Sequence, residues 1–236
     1  MVWVYYDESG EYEPGPGGKL LNMSIGGCVA SLTKWEAFAP AWDAALKAEG
    51  LSYFHMTEFE AWRPPYDFKL PNGERDNEKH KRLLNSLIGL MLGHVECFAA
   101  FAAGNLISPD ATRAHELAME DCVLGAVTHA VHDLWDRYQE PINLVFGRQR
   151  HFSYAKILKY VDLYDWGEGR GRIKSMSVDD PVNIPQLQAA DILAYEMGKE
   201  QRAGRARRYP FDTLIRGCIE RDLPLTLNCG CIVGTI

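Results

Sequence analysis

The feature that most constrains this chain lies in its first ten residues. Val2, Trp3, Val4, Tyr5 and Tyr6 are β-branched or aromatic and read as a buried strand. The run breaks abruptly into Asp7, Glu8, Ser9 and Gly10, which sets carboxylates at the end of that strand. A buried carboxylate is costly unless it is paired, hydrogen-bonded or bound to a cation. A cation is therefore the economical explanation, and a plain turn is the competing one, because Asp, Ser and Gly are also turn residues.

The rest of the chain reads as alternating elements. After a Pro/Gly-rich loop between Glu11 and Lys19, Leu20 to Ser31 forms a second strand antiparallel to the first. Gly26 and Gly27 within it mark a bulge or a close backbone approach. Thr33 and Glu36 form a capping box that opens a helix with Trp35, Phe38, Trp42 and Leu46 on one face, ended by Gly50. A short segment delivers His55 and Glu58, and a proline-bearing surface excursion, which could serve as a mobile flap, follows at about 60–76.

Helix is then expected from Asp76 to Leu92, strand from Val95 to Ala103, and a long helix from an N-cap at Ser108 to about Tyr138. Beyond it come a central strand Pro141 to Phe146, a helix from about Phe152 to Asp165, and a strand Arg172 to Val178. A helix from Ile184 to about Gln201, another from Pro210 to Asp222 and an apolar tail complete the chain. This order predicts one α/β domain over residues 1–236, a mixed sheet with helices on both faces.

The helix from Ile184 holds the second notable acid. Gln188 and Tyr195 lie three before and four after Asp191, so the three share a face, and small Ala190 and Ala194 beside it let the helix approach a sheet closely. An acid on the tightly packed side of a helix needs a partner or a cation, and Asp7 is the candidate for sharing it.

Two motifs carry a resemblance. Tyr5 to Gly10, as Tyr-x-Asp-Glu-Ser-Gly, together with Gln188, Ala190, Asp191, Ala194 and Tyr195, is similar to the domain-of-unknown-function family thirty-eight hundred. His55 and Glu58 stand at matching places, so the similarity spans nearly the whole chain. It implies an RNase H-like fold with acids gathered at the ends of the central strands to hold divalent metals. Where the family often carries an acid after the mid-chain strand, this chain has Gly147, and Glu8, Glu58, Asp179 or Asp180 would have to substitute. Glu58 is favoured for its motif position.

The expected activity is metal-dependent phosphodiester hydrolysis of DNA or RNA, with Mg²⁺ or Mn²⁺ on Asp7, Glu8, Asp191 and Glu58, and Asp7, Asp191, Glu58 and His55 as the catalytic set. The alternative is a catalytically lapsed module that binds nucleic acid or a protein partner. The net charge of −7 hides an asymmetry: residues 1–140 hold 11 Lys and Arg against 21 Asp and Glu, and the remainder 14 against 11. Lys199, Arg202, Arg205, Arg207 and Arg208 are the expected phosphate contacts, with Arg148, Arg150, His151, Lys156 and Lys159 a second basic group.

Trp62, Tyr66 and Phe68 in the excursion either stack on an unpaired base or pack beneath the loop. Cys28, Cys97 and Cys122 sit in apolar patterns expected of buried free thiols, and Cys218, Cys229 and Cys231 lack the spacing of a zinc site. No phosphate-cradling or dinucleotide fingerprint is present. With neither a signal-peptide pattern nor a long apolar run, the chain is expected to be cytoplasmic and off the membrane.

Overall fold

A computed structural model describes residues 1–12, 20–103, 111–148, 153–167, 171–203, 209–229 and 232–235. Its strands are β1 Val2–Tyr12, β2 Leu20–Ser31, β3 Cys97–Ala102, β4 Ile142–Gly147, β5 Ile173–Asp179, β6 Leu225–Cys229 and β7 Ile232–Thr235. Its α-helices are α1 Leu32–Ala48, α2 Met56–Glu60, α3 Asn77–His94, α4 Ala111–His129, α5 Trp135–Tyr138, α6 Tyr154–Gly167, α7 Pro185–Ala203 and α8 Tyr209–Glu220. A π-helical turn, Ala130–Leu134, joins α4 to α5, and Arg172 donates to the Val131 carbonyl within it at 2.8 Å.

The strands form one mixed sheet in the order β5-β4-β1-β2-β3-β6-β7. β1 pairs antiparallel with β2 and parallel with β4, so the N-terminal strand lies at the junction of the two pairing modes. Alternation along β1 sends Val2, Val4 and Tyr6 into one core with α4 and α6. Trp3 and Tyr5 pack against the opposite core, built from α1, α3, α7 and α8. Helices therefore cover both faces, as the element order predicts.

The first strand does not stop at Asp7. It stays paired with β2 as far as Tyr12↔Leu20, so Asp7 and Glu8 lie within it. Its pairing with β4 is what ends there, the last register being Tyr6↔Phe146. The acids thus emerge where one neighbour stops and the other continues.

One other local expectation is corrected and another is resolved. α1 starts at Leu32 without a side-chain cap, because the Leu32 N–H donates to the Met1 carbonyl at 3.1 Å and the chain's own first residue does the capping. Gly26 and Gly27 mark close approach and no bulge, since register is continuous through them. A Cβ on Gly26 would stand 2.4 Å from the Ala194 nitrogen and 2.5 Å from the Ala190 carbonyl oxygen; one on Gly27 would enter the Tyr6 ring at 2.3 Å. Helix α7 therefore lies directly on β2, and the small residues of both elements are what allow it.

The excursion after α2 is packed down. Tyr66 is fully buried and Phe68 nearly so, and Trp62 stacks on His80 at 4.2 Å with Arg75 over its ring at 4.9 Å. These aromatics bury apolar area and are already stacked on the protein's own groups, so base stacking on Tyr66 and Phe68 is excluded in this arrangement. The Ser108 N-cap lies outside the described residues. Among the described residues no helix is long and apolar enough to cross a membrane.

Candidate active site

Asp7 is 5% exposed and Asp191 4%, a depth at which a lone carboxylate is unfavourable. Asp7 leaves β1 on the face that α7 covers. Its Oδ1 accepts from the Glu8 N–H at 3.1 Å. Alternation starts Glu8 from the other face, opposite Ile25, and β4 pairs no further than Tyr6.

Gly147 is part of the same geometry. A Cβ there would stand 2.0 Å from Asp7 Oδ1 and 3.3 Å from Pro181 Cγ. The Asp7 carboxylate therefore occupies the volume that a side chain at 147 would need. The glycine that removes an expected acid also makes room for the acid on the neighbouring strand.

Asp191 reaches the site from the middle of α7. Its Oδ2 accepts from the Met56 N–H at 2.7 Å, which ties it to the first turn of α2. Gln188, one turn earlier, is fully engaged: its Oε1 accepts from Trp42 Nε1 and the Phe54 N–H, each at 2.9 Å. Its Nε2 donates to the carbonyls of Pro181 and Val182, each at 3.1 Å. Gln188 thus fastens α1, the segment before α2 and the turn before α7 to one buried amide. Its place beside Asp191 was legible, but this structural role was not.

Electrostatics joins the carboxyls. Burial pushes Asp7 well above the ordinary carboxylate range, and the charges of Glu8 and Asp191 push it further. Burial raises Glu8 to about 7 against the pull of its hydrogen bonds, with Asp191 adding to the rise. Asp191 is raised by burial and by Glu58, while His55 and the Met56 N–H pull it back. Asp7, Glu8 and Asp191 cannot all ionise cheaply without a compensating cation.

The remaining candidates are placed as follows. His55 precedes α2 and faces Asp191 electrostatically, and its buried Nδ1 has no hydrogen-bond partner. Glu58 is half-buried and accepts from the Tyr53 hydroxyl at 2.8 Å. Asp180 is spent on capping the Val182 N–H at 3.0 Å. Asp179 ends β5 with its side chain exposed.

Of the expected phosphate contacts, Lys199 is bound by Glu11 at 3.2 Å, so it is not a free cation. Arg202 lies in α7, and Arg205, Arg207 and Arg208 lie outside the described residues. In the second group Lys156 pairs with Glu116 at 3.2 Å, Arg148 and Lys159 are exposed, and Arg150 and His151 are not among the described residues.

The donor set suits a hard divalent cation, being carboxylate oxygen throughout. Among the described residues, however, no group of three or more His, Cys, Asp and Glu side chains is arranged to hold a metal ion. Mg²⁺ is commonly held by only one or two carboxylates, with water and substrate phosphates completing its shell. Neither models of known protein families nor the sequences of curated proteins match this chain.

Proposed function

We propose that this chain is an RNase H-like, metal-dependent nuclease of the family that its two motifs resemble, hydrolysing phosphodiester bonds of DNA or RNA. The observation that carries the reading is the burial of Asp7, at the end of the β1–β4 pairing and beside the Gly26 on which α7 lies, together with buried Asp191 of that helix. A central strand with an antiparallel hairpin on one side and parallel strands on the other agrees with such a sheet.

Asp7 and Asp191 would hold Mg²⁺ or Mn²⁺, which when bound supplies an acidified water and neutralises charge on the phosphate. The chain's own groups do the rest. The Met56 N–H fixes one Asp191 oxygen and leaves the other for the site. The unpartnered His55 Nδ1 is available to take up or release a proton beside it. Exposed Arg148, its N–H held by the Asp179 carbonyl at 2.8 Å, offers a guanidinium to a substrate phosphate at the end of β4.

A second reading, a lapsed module that binds without cleaving, is favoured by Gly147 and by the lack of a ready three-acid group among the described residues. Cleavage of labelled single-stranded and duplex DNA, RNA and hybrid in Mg²⁺, Mn²⁺ or EDTA separates the two. The nuclease reading expects metal-dependent cutting that disappears in Asp7→Asn and in Asp191→Asn. Binding that persists in EDTA, with no cutting of any substrate by the folded wild type, would favour the module.

A further inference from the structure

Helix α6 has one face in the core and another in solvent. Ile157 and Val161 are buried in the core that α4 covers, and Lys156 pairs with Glu116 of α4 at 3.2 Å. Ala155, Leu158, Lys159, Asp162 and Leu163 are exposed and line one shallow surface hollow. At 3.6 residues per turn these five fall on the side opposite Ile157 and Val161. The outer face is therefore a mixed stripe of leucine and charge, with Leu158 37% and Leu163 60% exposed.

The two charges on this stripe are unspent. Lys159 and Asp162 stand three apart, a spacing that permits an ion pair along a helix. Neither makes an ion pair or hydrogen bond among the described residues. Lys156, by contrast, turns toward α4 and is paired there.

The order of the stripe is complementary to itself reversed. Laid antiparallel on a second copy, with a two-fold axis level with the midpoint of Tyr160 and Val161, α6 sets Leu158 against Leu163 of that copy. The same axis sets Lys159 against Asp162 of the copy. Positions 158 and 163, and positions 159 and 162, are symmetric about one centre, so a single placement makes both pairings. A surface that meets its own image in this way is what an isologous interface requires.

We infer that the outer face of α6 is a self-association surface, and that its occupant is α6 of a second copy of this chain, running antiparallel. The helix has 14 residues and is about 21 Å long, so the contact is at the small end of specific interfaces and reversible. It lies on the sheet face opposite the one from which Asp7 emerges, leaves the carboxyl site uncovered and does not depend on the nuclease reading.

Sedimentation equilibrium of the full chain, from low to high micromolar concentration, tests this. Wild type should show a monomer–dimer equilibrium. Leu163→Asp, which removes an apolar contact twice in the dimer, should leave monomer alone. K159D and D162K should each self-associate about tenfold more weakly or worse, since each sets like charges opposite one another. Mixed together, these two variants should dimerise with each other, because each supplies the charge that the other lacks. A wild type that stays monomeric throughout, or a dimer that Leu163→Asp or either charge variant leaves unchanged, would overturn the inference. So would a mixture that associates no more tightly than its components. The substituted positions are exposed, and thermal unfolding like that of wild type verifies that each variant is folded.

Discussion

Asp7 and Gly147 share one volume, and the site depends on which of them fills it. A methyl at 147 meets the Asp7 carboxylate at 2.0 Å, and Pro181 at 3.3 Å closes another side. Gly147→Ala should therefore cost about 1–3 kcal/mol in urea unfolding, as overpacking does, and should weaken Mn²⁺ binding by displacing Asp7. Wild-type behaviour in both would show that the carboxylate is free to move aside. Gln188→Leu should be more damaging, because it orphans the buried Trp42 Nε1 and the Phe54 N–H, at about 1–3 kcal/mol for each buried donor. Asp7 and Asp191 were legible in the sequence because an acid after a strand-forming run, or amid small helical residues, breaks a pattern. Gly147 was legible only as a missing acid and Asp179 only as one possible substitute; that the Asp7 carboxylate fills the space over Gly147 was not, since it lies in a register between strands.

At the scale of elements, the site is the meeting of β1, β4, β5 and α7, with α2 held against them through Met56 and Asp191. The close contact of α7 with β2 sets the depth at which Asp191 arrives. Gly26→Ala would drive a Cβ into helix backbone, which cannot turn aside as a side chain can. It should therefore destabilise by more than the Gly147 change and should weaken Mn²⁺ binding as Asp191 moves. The excursion contributes through Tyr66, whose hydroxyl accepts from the His55 N–H and donates to the Tyr53 carbonyl, each at 3.0 Å. Strands and helices were legible here because hydrophobic period and breakers mark them. The true extent of β1 was not, because acids and glycine in a paired strand look the same as a turn when read singly. Nor was the packing of the excursion, which depends on His80 of α3 stacking on Trp62 and on Arg75 lying over its ring.

For the whole molecule, carboxyls raised by burial turn proton binding into stability. A carboxyl whose pKa is raised on folding favours the native state while protonated. Its contribution is full below the unfolded pKa and is lost as pH rises through the folded one, which for Glu8 means between 4.5 and about 7. Asp7 and Asp191, raised in the same direction, add to that loss. His129 acts oppositely: burial lowers it from 6.5 to about 4, so its contribution is present above 6.5 and is lost as pH falls through the folded value. Across the shared window the three carboxyls outweigh the one histidine, so in EDTA stability should fall as pH rises from about 4.5 towards about 7.

A cation on the ionised acids removes the penalty on the alkaline side alone, and it competes with protons for the same oxygens. The most direct measurement is the rise in Tm produced by millimolar Mg²⁺ or Mn²⁺ over EDTA, followed from about pH 5 to about pH 8, for wild type beside Asp7→Asn and Asp191→Asn. Taking the difference at each pH cancels His129. A carboxylate site for a divalent cation predicts an increment near zero at the acid end that grows with pH and disappears in both variants. An increment that is absent at every pH, or that survives in either variant, would contradict it.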